Sequence, residues 1–185
     1  GKNAIDLVLA ESLIELSAKK PIDKITIKEI TDKAGVIRPT FYNHFQDKYE
    51  LIEWIIKSEL LEPIKPLLNA GMIFEAIVLM LNNISANSVF YKKALKLEGA
   101  VTFNQIAMKC VYEMFMNIIN EKSTGKKSKY RWLTPEVIST YYAQSLCFIT
   151  EGWIAQGMDD IEPKEMAEAY MYLITRSMDD ILSEL

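Results

Sequence analysis

Helix start and stop signals follow one another at short intervals near the N-terminus, and this run constrains the fold more than any other feature of the sequence. Thr26 precedes Glu29 by three residues, the spacing of a capping box at the start of a short helix. Gly35 lies in a tight turn that favours a residue able to adopt a positive φ. A second short helix is expected over residues 37–45, and Asp47 can cap the helix after it. Two short helices joined by such a turn form a helix-turn-helix unit.

The second short helix should bury one narrow stripe. At about 100° per residue, Phe41 and Phe45 lie about 40° apart and form the predicted core contact. Arg38 falls near this stripe and must reach outward from the first turn. The remaining face is small and polar, which suits contacts with base edges at its centre and with phosphates at its sides. The side chains on that face and its flanks are Pro39, Thr40, Tyr42, Asn43 and His44.

Helical periodicity also fills the rest of the chain, while alternation with a period of two is scarce. Half of the 185 residues are hydrophobic, enough for a sizeable core. The sequence therefore predicts an all-α fold, with an N-terminal three-helix helix-turn-helix domain and a larger C-terminal helical domain. Further helices are expected over roughly residues 48–60, 72–86, 88–97, 101–120, 135–156 and 163–184.

Charge is distributed unevenly along the chain. The net charge is −4, but the segment from Lys19 to Lys48 contains seven basic and four acidic residues. From Ser58 onward there are twelve basic and sixteen acidic residues. A mildly basic N-terminal third on an acidic remainder is compatible with a DNA-binding head.

Sequence motifs for catalysis or metal binding are missing. The chain contains one histidine, His44, and two cysteines, Cys110 and Cys147, which lie far apart in apolar helical patterns. There is no phosphate-binding Gly-Lys-Ser/Thr loop, no His-Glu-x-x-His and no Cys/His ligand spacing. The sequence therefore predicts neither an enzyme nor a bound metal or cofactor, and it predicts two buried, reduced thiols.

No stretch of the sequence predicts a membrane-spanning helix. The longest uncharged stretch, residues 76–91, has 16 residues and includes three asparagines and two serines. A spanning helix needs about 20 mostly apolar residues. We therefore expect a cytoplasmic protein without a membrane contact.

The segment TIKEITDKAGVIRPTFYNHFQDKYEL resembles the DNA-binding region of the tetracycline-repressor (TetR) family of bacterial transcription regulators. One departure is Ile37, which stands where the family usually has a small polar capping residue. Two alternatives to DNA contact stay open: Tyr42 can be a half-buried packing residue, and Lys48 can be a solvated surface lysine. The resemblance implies backbone or phosphate contacts for Thr26, Tyr42, His44 and Lys48, and contacts with bases or nearby phosphates for Arg38, Thr40 and Asn43, with Pro39 beside them.

A protein that reads symmetric operators needs two recognition helices held about 34 Å apart. The resemblance implies a homodimer whose last two long helices, here roughly residues 134–157 and 162–185, form a four-helix bundle across a twofold axis. Both stretches have wider apolar coverage than a one-sided surface helix needs. The expected domains are 1–47 for DNA binding and 48–185 for effector binding and dimerisation. The predicted interface residues are Tyr142, Leu146, Ile149, Trp153, Tyr170, Leu173, Ile174 and Met178.

The C-terminal part also resembles the TetR subgroup that includes regulators of dihydroxyacetone kinase genes. This similarity rests on the aromatic helix with Trp153, on Gly157 and on the acidic helix that follows. This similarity does not fix an effector, but the resemblance to ligand-responsive members of the family implies one, either a small molecule or a protein, that acts on the spacing of the heads through the fourth helix. The aromatic and methionine residues that could line an effector pocket can alternatively be ordinary core residues with no cavity between them. The candidate pocket residues are Phe74, Phe90, Phe103, Met108, Tyr112, Phe115 and Tyr141.

The function predicted from these features is a TetR-like regulator that binds palindromic operator DNA as a homodimer under the control of an effector. Repression is the expected mode, with activation left open. The alternative is a helical ligand- or protein-binding module that does not bind DNA. The basic loop within residues 121–134 is expected to be solvated, with a DNA or partner contact as the alternative; its basic residues include Lys126, Lys127, Lys129 and Arg131.

Overall fold

The computed structural model describes residues 3–126 and 128–185, so Lys127 of the basic loop lies outside the described residues. All regular elements in this part of the chain are helical, and the predicted all-α class is confirmed. The α-helices are α1 Ala4–Ser17, α2 Ile27–Ala34, α3 Arg38–His44, α4 Lys48–Ile55, α5 Lys65–Asn69, α6 Ile73–Ala86, α7 Ser88–Ala94, α8 Phe103–Lys122, α9 Pro135–Ala155, α10 Pro163–Thr175 and α11 Met178–Glu184.

The first three helices, called the head from here on, are joined by tightly hydrogen-bonded turns. α1 packs against α2, and α2 packs against α3. Gly35 ends α2 with a φ of 70°, and its N–H donates to the Asp32 carbonyl over 3.3 Å. The Val36 N–H donates to the Thr31 carbonyl over 3.0 Å. These two bonds form a Schellman motif, which fixes the predicted glycine turn.

α4 leads from the head into the remaining helices, and it changes character on the way. It continues directly into a π-helical segment, Ile56–Leu61, where the sequence predicted an ordinary helix. π-turns are rare and often lie at functional sites. α4 packs on both α1 and α8. It therefore connects the head to the body, the name used below for α4 to α11.

The body is built around α8 and α9, with α10 packed on α6 and α9. Buried apolar residues of head and body form one continuous cluster, and the domain division at residues 47 and 48 stays a prediction. The helix expected over residues 163–184 is interrupted. Arg176 is extended, with φ −114° and ψ 150°, and Ser177 begins a new capping box with Asp180. The side-chain hydroxyl therefore starts α11 as a separate helix.

No single helix in the described residues is long and apolar enough to cross a membrane. The longest uncharged stretch belongs mainly to α6, which has 14 residues. One bent pair, α6 with α7, meets the length and composition test when the two helices are taken together across a bend of 88°.

Candidate nucleic-acid interface

α3 buries the stripe that the sequence predicts. Phe41 is fully buried and Phe45 nearly so. The Phe45 ring lies edge-on to the Trp54 ring of α4, with 6.3 Å between their centroids. Because both phenylalanines are held inside, the rotation of α3 about its own axis is fixed, and its polar face is turned outward.

The outward face of α3 carries most of the residues that the sequence singles out. Pro39 and Asn43 are exposed, and Thr40 is half-buried. Arg38, expected near the buried stripe, is instead exposed, because it occupies the first helical position and projects from the helix end. Its Nη2 donates to the Tyr42 hydroxyl over 3.3 Å, with the guanidinium carbon 5.9 Å from the ring centroid. A cation and a phenol therefore lie together at one edge of this face.

His44 is tied to the first helix. Its Nδ1 lies 2.7 Å from Oδ1 of Asp6, which is 38 residues earlier in the chain, and both side chains are largely buried. In the imidazolium form both ring nitrogens donate, so Nδ1 can hold Asp6 while Nε2 is left to donate to an anion. Sequence reasoning missed Asp6, since no local spacing relates it to His44.

The N-terminus of α2 is closed by a capping box. The Thr26 hydroxyl accepts from the Glu29 N–H over 3.2 Å and donates to the Glu29 carboxylate over 2.9 Å. The other carboxylate oxygen lies 2.6 Å from Lys20 Nζ. Bonds from Lys20 and Thr26 lower the pKa of Glu29 to about 2. Thr26 is exposed, but its hydroxyl is already engaged within the head, and its contact with DNA stays a prediction.

Lys48 has a different position from the one expected. Its Nζ donates to the carbonyls of Ile22, Asp23 and Ile25 over 3.0, 2.8 and 3.1 Å. An ammonium group has three N–H donors, so all of them are used inside the chain. Burial lowers the pKa of Lys48. The structure therefore separates Lys48 from the outward-facing residues and makes it a tie between α4 and the turn before α2.

Three of the eight residues predicted for the dimer interface lie inside the chain. Leu146, Trp153 and Tyr170 are buried, and α10 packs over α9. Trp153 Nε1 donates to the Ile161 carbonyl over 2.9 Å, and the Tyr170 hydroxyl lies 3.0 Å from Ser145 Oγ. These three assignments are corrected, since the residues belong to the chain's own core. Of the others, Ile149 and Ile174 are half-buried, while Tyr142, Leu173 and Met178 are exposed.

A different face of α9 points to solvent. Its exposed residues recur at intervals of three and four, which places them on one stripe along the helix. Phe148, with 77 % of its surface exposed, and Tyr141, with 64 %, are its large apolar members. Space is open beside the Gly152 Cα. The stripe, called the α9 seam below, consists of Tyr141, Gln144, Phe148, Gly152 and Ala155.

The seven candidate effector residues do not surround one cavity. Phe103 lines a buried cavity, Met108 lines a surface groove between α8 and α9, and Tyr141 lines a separate outer groove beside Trp132. Phe90 is packed in the core. The prediction that these residues line a single aromatic pocket is therefore wrong. They lie on different faces of their helices and pack against different neighbours. The remaining three, Phe74, Tyr112 and Phe115, are half-buried against the core.

The buried cavity has a volume of about 40 Å³ and lies under the π-helical segment, whose residues Ile56, Leu60 and Leu61 form part of its wall. Tyr91 and Thr150 also line it. Their hydroxyl groups are buried and have no hydrogen-bond partner among the described residues. Burial also raises the pKa of Tyr91. An apolar cavity of this size that is lined by residues with unpaired hydroxyls can hold a water molecule.

A charge network, which the sequence analysis did not anticipate, ties α4 to α8. Lys57 Nζ lies 2.6 Å from Glu53 and 2.8 Å from Glu113, and Lys109 Nζ lies 2.8 Å from Glu53. The pKa of Lys57 is raised by the two carboxylates, although burial opposes this shift. Lys57 belongs to the π-helical segment and Glu53 to α4, so the network links both to α8.

The described residues contain no cluster of His, Cys, Asp or Glu side chains suited to a metal ion. Cys110 and Cys147 are buried and form no disulfide. Burial raises the pKa of both thiols to about 12, which keeps them protonated.

Comparison with known proteins agrees with this geometry. A family model described as "Bacterial regulatory proteins, tetR family" matches residues 11–55, and one described as "Transcriptional regulator C-terminal region" matches residues 72–176. The HTH-type dhaKLM operon transcriptional activator DhaS of Lactococcus lactis subsp. lactis is 26 % identical over 152 residues, which cover 81 % of this chain and 79 % of that protein.

Solved structures share the fold. DhaS superposes with a TM-score of 0.61 at 20 % identity, covering 98 % of this chain and 96 % of its own. A TetR-family regulator from Syntrophomonas wolfei gives 0.64 at 16 % identity, covering 91 % and 92 %. NalD of Pseudomonas aeruginosa gives 0.59 at 13 % identity, covering 92 % and 94 %. The family models and these relatives are transcriptional regulators rather than enzymes, and the chain belongs to the TetR family of bacterial transcriptional regulators.

Proposed function

We propose that the protein binds a palindromic operator duplex as a homodimer, with α3 of each copy in the major groove. The observation that carries this proposal is the outward polar face of α3, held in one orientation by the buried Phe41 and Phe45. A recognition helix must present polar side chains to base edges from a rigid support. The basic character of the first third of the chain favours the approach of DNA, although the whole chain is acidic.

Roles within the head follow from the surroundings of each side chain. We assign base contacts to Thr40 and Asn43, with Pro39 beside them, a phosphate contact next to these bases to Arg38, and further phosphate contacts to Tyr42, His44 and Thr26. Tyr42 and Arg38 lie side by side, and His44 has one ring nitrogen free of Asp6. Lys48 acts as a positioning residue, because its three donors are used by backbone carbonyls.

A second copy of the chain is proposed to cover the α9 seam, together with exposed Leu173 and Met178 of the helices that follow. A stripe with large aromatic members and a glycine allows two helices to approach closely across a twofold axis. Phe148 and Tyr141 are the expected anchors, since exposed aromatic side chains dominate the binding energy of interfaces. In this proposal residues 48–185 form the dimerisation and effector-binding domain, and residues 1–47 the DNA-binding domain.

The buried cavity under the π-helical segment is the proposed effector site, and it must enlarge on binding, because about 40 Å³ holds only a water-sized occupant. An occupant would satisfy the unpaired hydroxyls of Tyr91 and Thr150, and it would press on Leu60 and Ile56. Since α4 joins this segment to the head, a change in the segment would alter the spacing of the two recognition helices. A ligand shifts such an equilibrium only by its difference in affinity for the two arrangements.

The proposal also covers whether the protein represses or activates transcription and where in the cell it acts. DhaS is described as an activator and NalD as a secondary repressor, so relatives of both signs share this fold. We propose a repressor acting in the cytoplasm. Transcription in vitro from a promoter that carries the selected operator measures the sign.

The test of DNA binding is enrichment of duplexes from a pool with a random core, followed by fluorescence anisotropy on the enriched duplex. The proposal predicts an enriched sequence with twofold symmetry and a complex of two chains per duplex. Failure to enrich any sequence at low salt, with a folded dimer in the sample, would contradict it and favour a helical binding module without DNA activity.

A further inference from the structure

Ile37 is exposed at the end of the recognition helix. With 69 % of its surface accessible, it has the most exposed large apolar side chain within residues 3–47. It occupies the N-cap position of α3 and makes no side-chain cap. A polar residue at an N-cap normally accepts a hydrogen bond from the first turn, so this position forgoes a common source of helix stability.

The backbone presents Ile37 in a fixed direction. It is extended, with φ −88° and ψ 154°, and its carbonyl accepts from the Thr40 N–H over 3.0 Å. Neighbouring Val36 is anchored by the Schellman bond to Thr31 and packs on the core. Successive side chains of an extended segment point to opposite sides, so Val36 faces inward while Ile37 faces outward. A β-branched side chain is also stiff, and little freedom is lost when it packs against a ligand.

The N-terminal end of a recognition helix is the part that approaches base edges. In the major groove the apolar group on a base pair is the C5-methyl of thymine. Ile37 has no donor or acceptor in its side chain, so packing it against a polar base edge would desolvate that edge without replacing its hydrogen bonds. Its shape and chemistry therefore match a thymine and disfavour a G·C pair.

We propose that Ile37 packs against the C5-methyl group of one thymine in each half of the operator and thereby selects T at that position. This inference rests on the proposed DNA-binding function and adds the identity of one base to it. Pro39 and the methyl group of Thr40 lie nearby in sequence and are the competing readers of such a methyl group.

The test replaces each thymine of the enriched duplex by deoxyuridine, which removes only the methyl group, in one symmetric pair of positions at a time. The expected result is one pair of positions at which affinity falls about fourfold for each half-site, the value of burying one methyl group. Ile37→Ser should bind the thymine and deoxyuridine duplexes equally at those positions. Ile37→Val should retain part of the preference.

The control is Thr40→Ser, which removes a methyl group but keeps the hydroxyl. It should retain the thymine preference if Ile37 is the reader. The proposal is overturned if no replacement of a thymine by deoxyuridine lowers the affinity of the wild-type protein. It is also overturned if the same loss of affinity is seen with Ile37→Ser. If wild-type protein enriches no duplex at all, the proposed function itself fails, which is a separate outcome. Circular dichroism of Ile37→Ser checks that the head is folded. If this variant does not fold, the deoxyuridine scan with wild-type protein still tests the proposal, because it needs no substitution in the protein.

Discussion

The head and the body of this regulator are held together by different forces. Polar side chains hold the elements of the head over defined distances: His44 binds Asp6 of α1, and Lys48 at the start of α4 binds three carbonyls of the turn before α2. In the body, the hydroxyls of Tyr91 and Thr150 are buried without partners in the described part of the chain, beside a cavity of about 40 Å³. The buried side-chain polar atoms without a partner among the described residues, in Ser58, Tyr91, Ser139 and Thr150, all belong to the body.

This difference suggests a division of labour. Directional hydrogen bonds define one geometry, which a surface that reads base edges requires. A packed interior with unpaired hydroxyls and some free volume can adopt a second arrangement when a ligand satisfies those groups. α4 packs on α1 of the head as well as on α8, and the charge network of Glu53, Lys57, Lys109 and Glu113 links its C-terminal end to α8.

The largest expected effect concerns the outer surface of the body. Phe148→Glu should raise the dissociation constant of the dimer about 100-fold, or about 3 kcal/mol, because it buries an unpaired charge in the interface. Analytical ultracentrifugation measures the change. Ile73→Glu, at an exposed apolar position on α6, should leave dimerisation unchanged. Equal effects of the two variants would show that the α9 seam is not the interface.

Lys48→Met tests whether polar ties hold the head. It should lower the free energy of unfolding by about 2 kcal/mol, because three carbonyls lose charge-assisted hydrogen bonds. Urea denaturation followed by circular dichroism measures this loss. Lys24→Met, at an exposed lysine in the turn whose carbonyls Lys48 binds, is the matched control and should change stability little. If Lys48→Met leaves the free energy of unfolding unchanged but weakens binding to every duplex, Lys48 contacts a DNA phosphate, as the sequence resemblance implied.

Asn43→Ala and Tyr42→Phe separate the two kinds of contact on α3. Asn43→Ala should reduce the preference for the enriched duplex over a scrambled one by about 1–2 kcal/mol, since a base contact is lost. Tyr42→Phe should weaken both duplexes alike by about 1 kcal/mol, because a phosphate contact carries no sequence information. Anisotropy titrations at one salt concentration measure both. The reverse pattern would exchange the roles of the two residues.

The smallest expected effect compares two buried tyrosines of the body. Tyr91→Phe should raise the free energy of unfolding by up to about 1 kcal/mol, because an unpaired hydroxyl is removed. Tyr170→Phe should lower it by about 1 kcal/mol, because the bond to Ser145 is lost. Thermal and urea denaturation measure both. If both substitutions destabilise the chain equally, the Tyr91 hydroxyl has a partner and the proposed effector site loses its basis.

Sequence reasoning succeeded where one neighbour decides the packing of a helix. α3 is short and buries a single stripe, so the spacing of Phe41 and Phe45 was enough to orient it. The capping box at Thr26 and the turn at Gly35 are also local, and the structure has both.

It failed where several neighbours compete for one helix. α9 is apolar on more than one side, and periodicity does not say which side α10 covers, so Leu146 and Trp153 were assigned to the surface although they are core. The tie between His44 and Asp6 and the internal use of Lys48 join residues far apart in sequence. The break at Arg176 depends on the Ser177 cap, a local signal that was available but overlooked.

The central claim is that paired α3 surfaces bind one duplex through its phosphates and base edges. The most direct measurement is the affinity of the dimer for the enriched duplex as a function of salt concentration. Log affinity should fall linearly with log salt, by about 0.9 for each phosphate neutralised, so that four such contacts cost about 100-fold between roughly 50 and 200 mM. Arg38→Ala in both copies should make this slope less steep. An affinity that does not change with salt, or a slope that is the same in wild type and Arg38→Ala, would contradict the account.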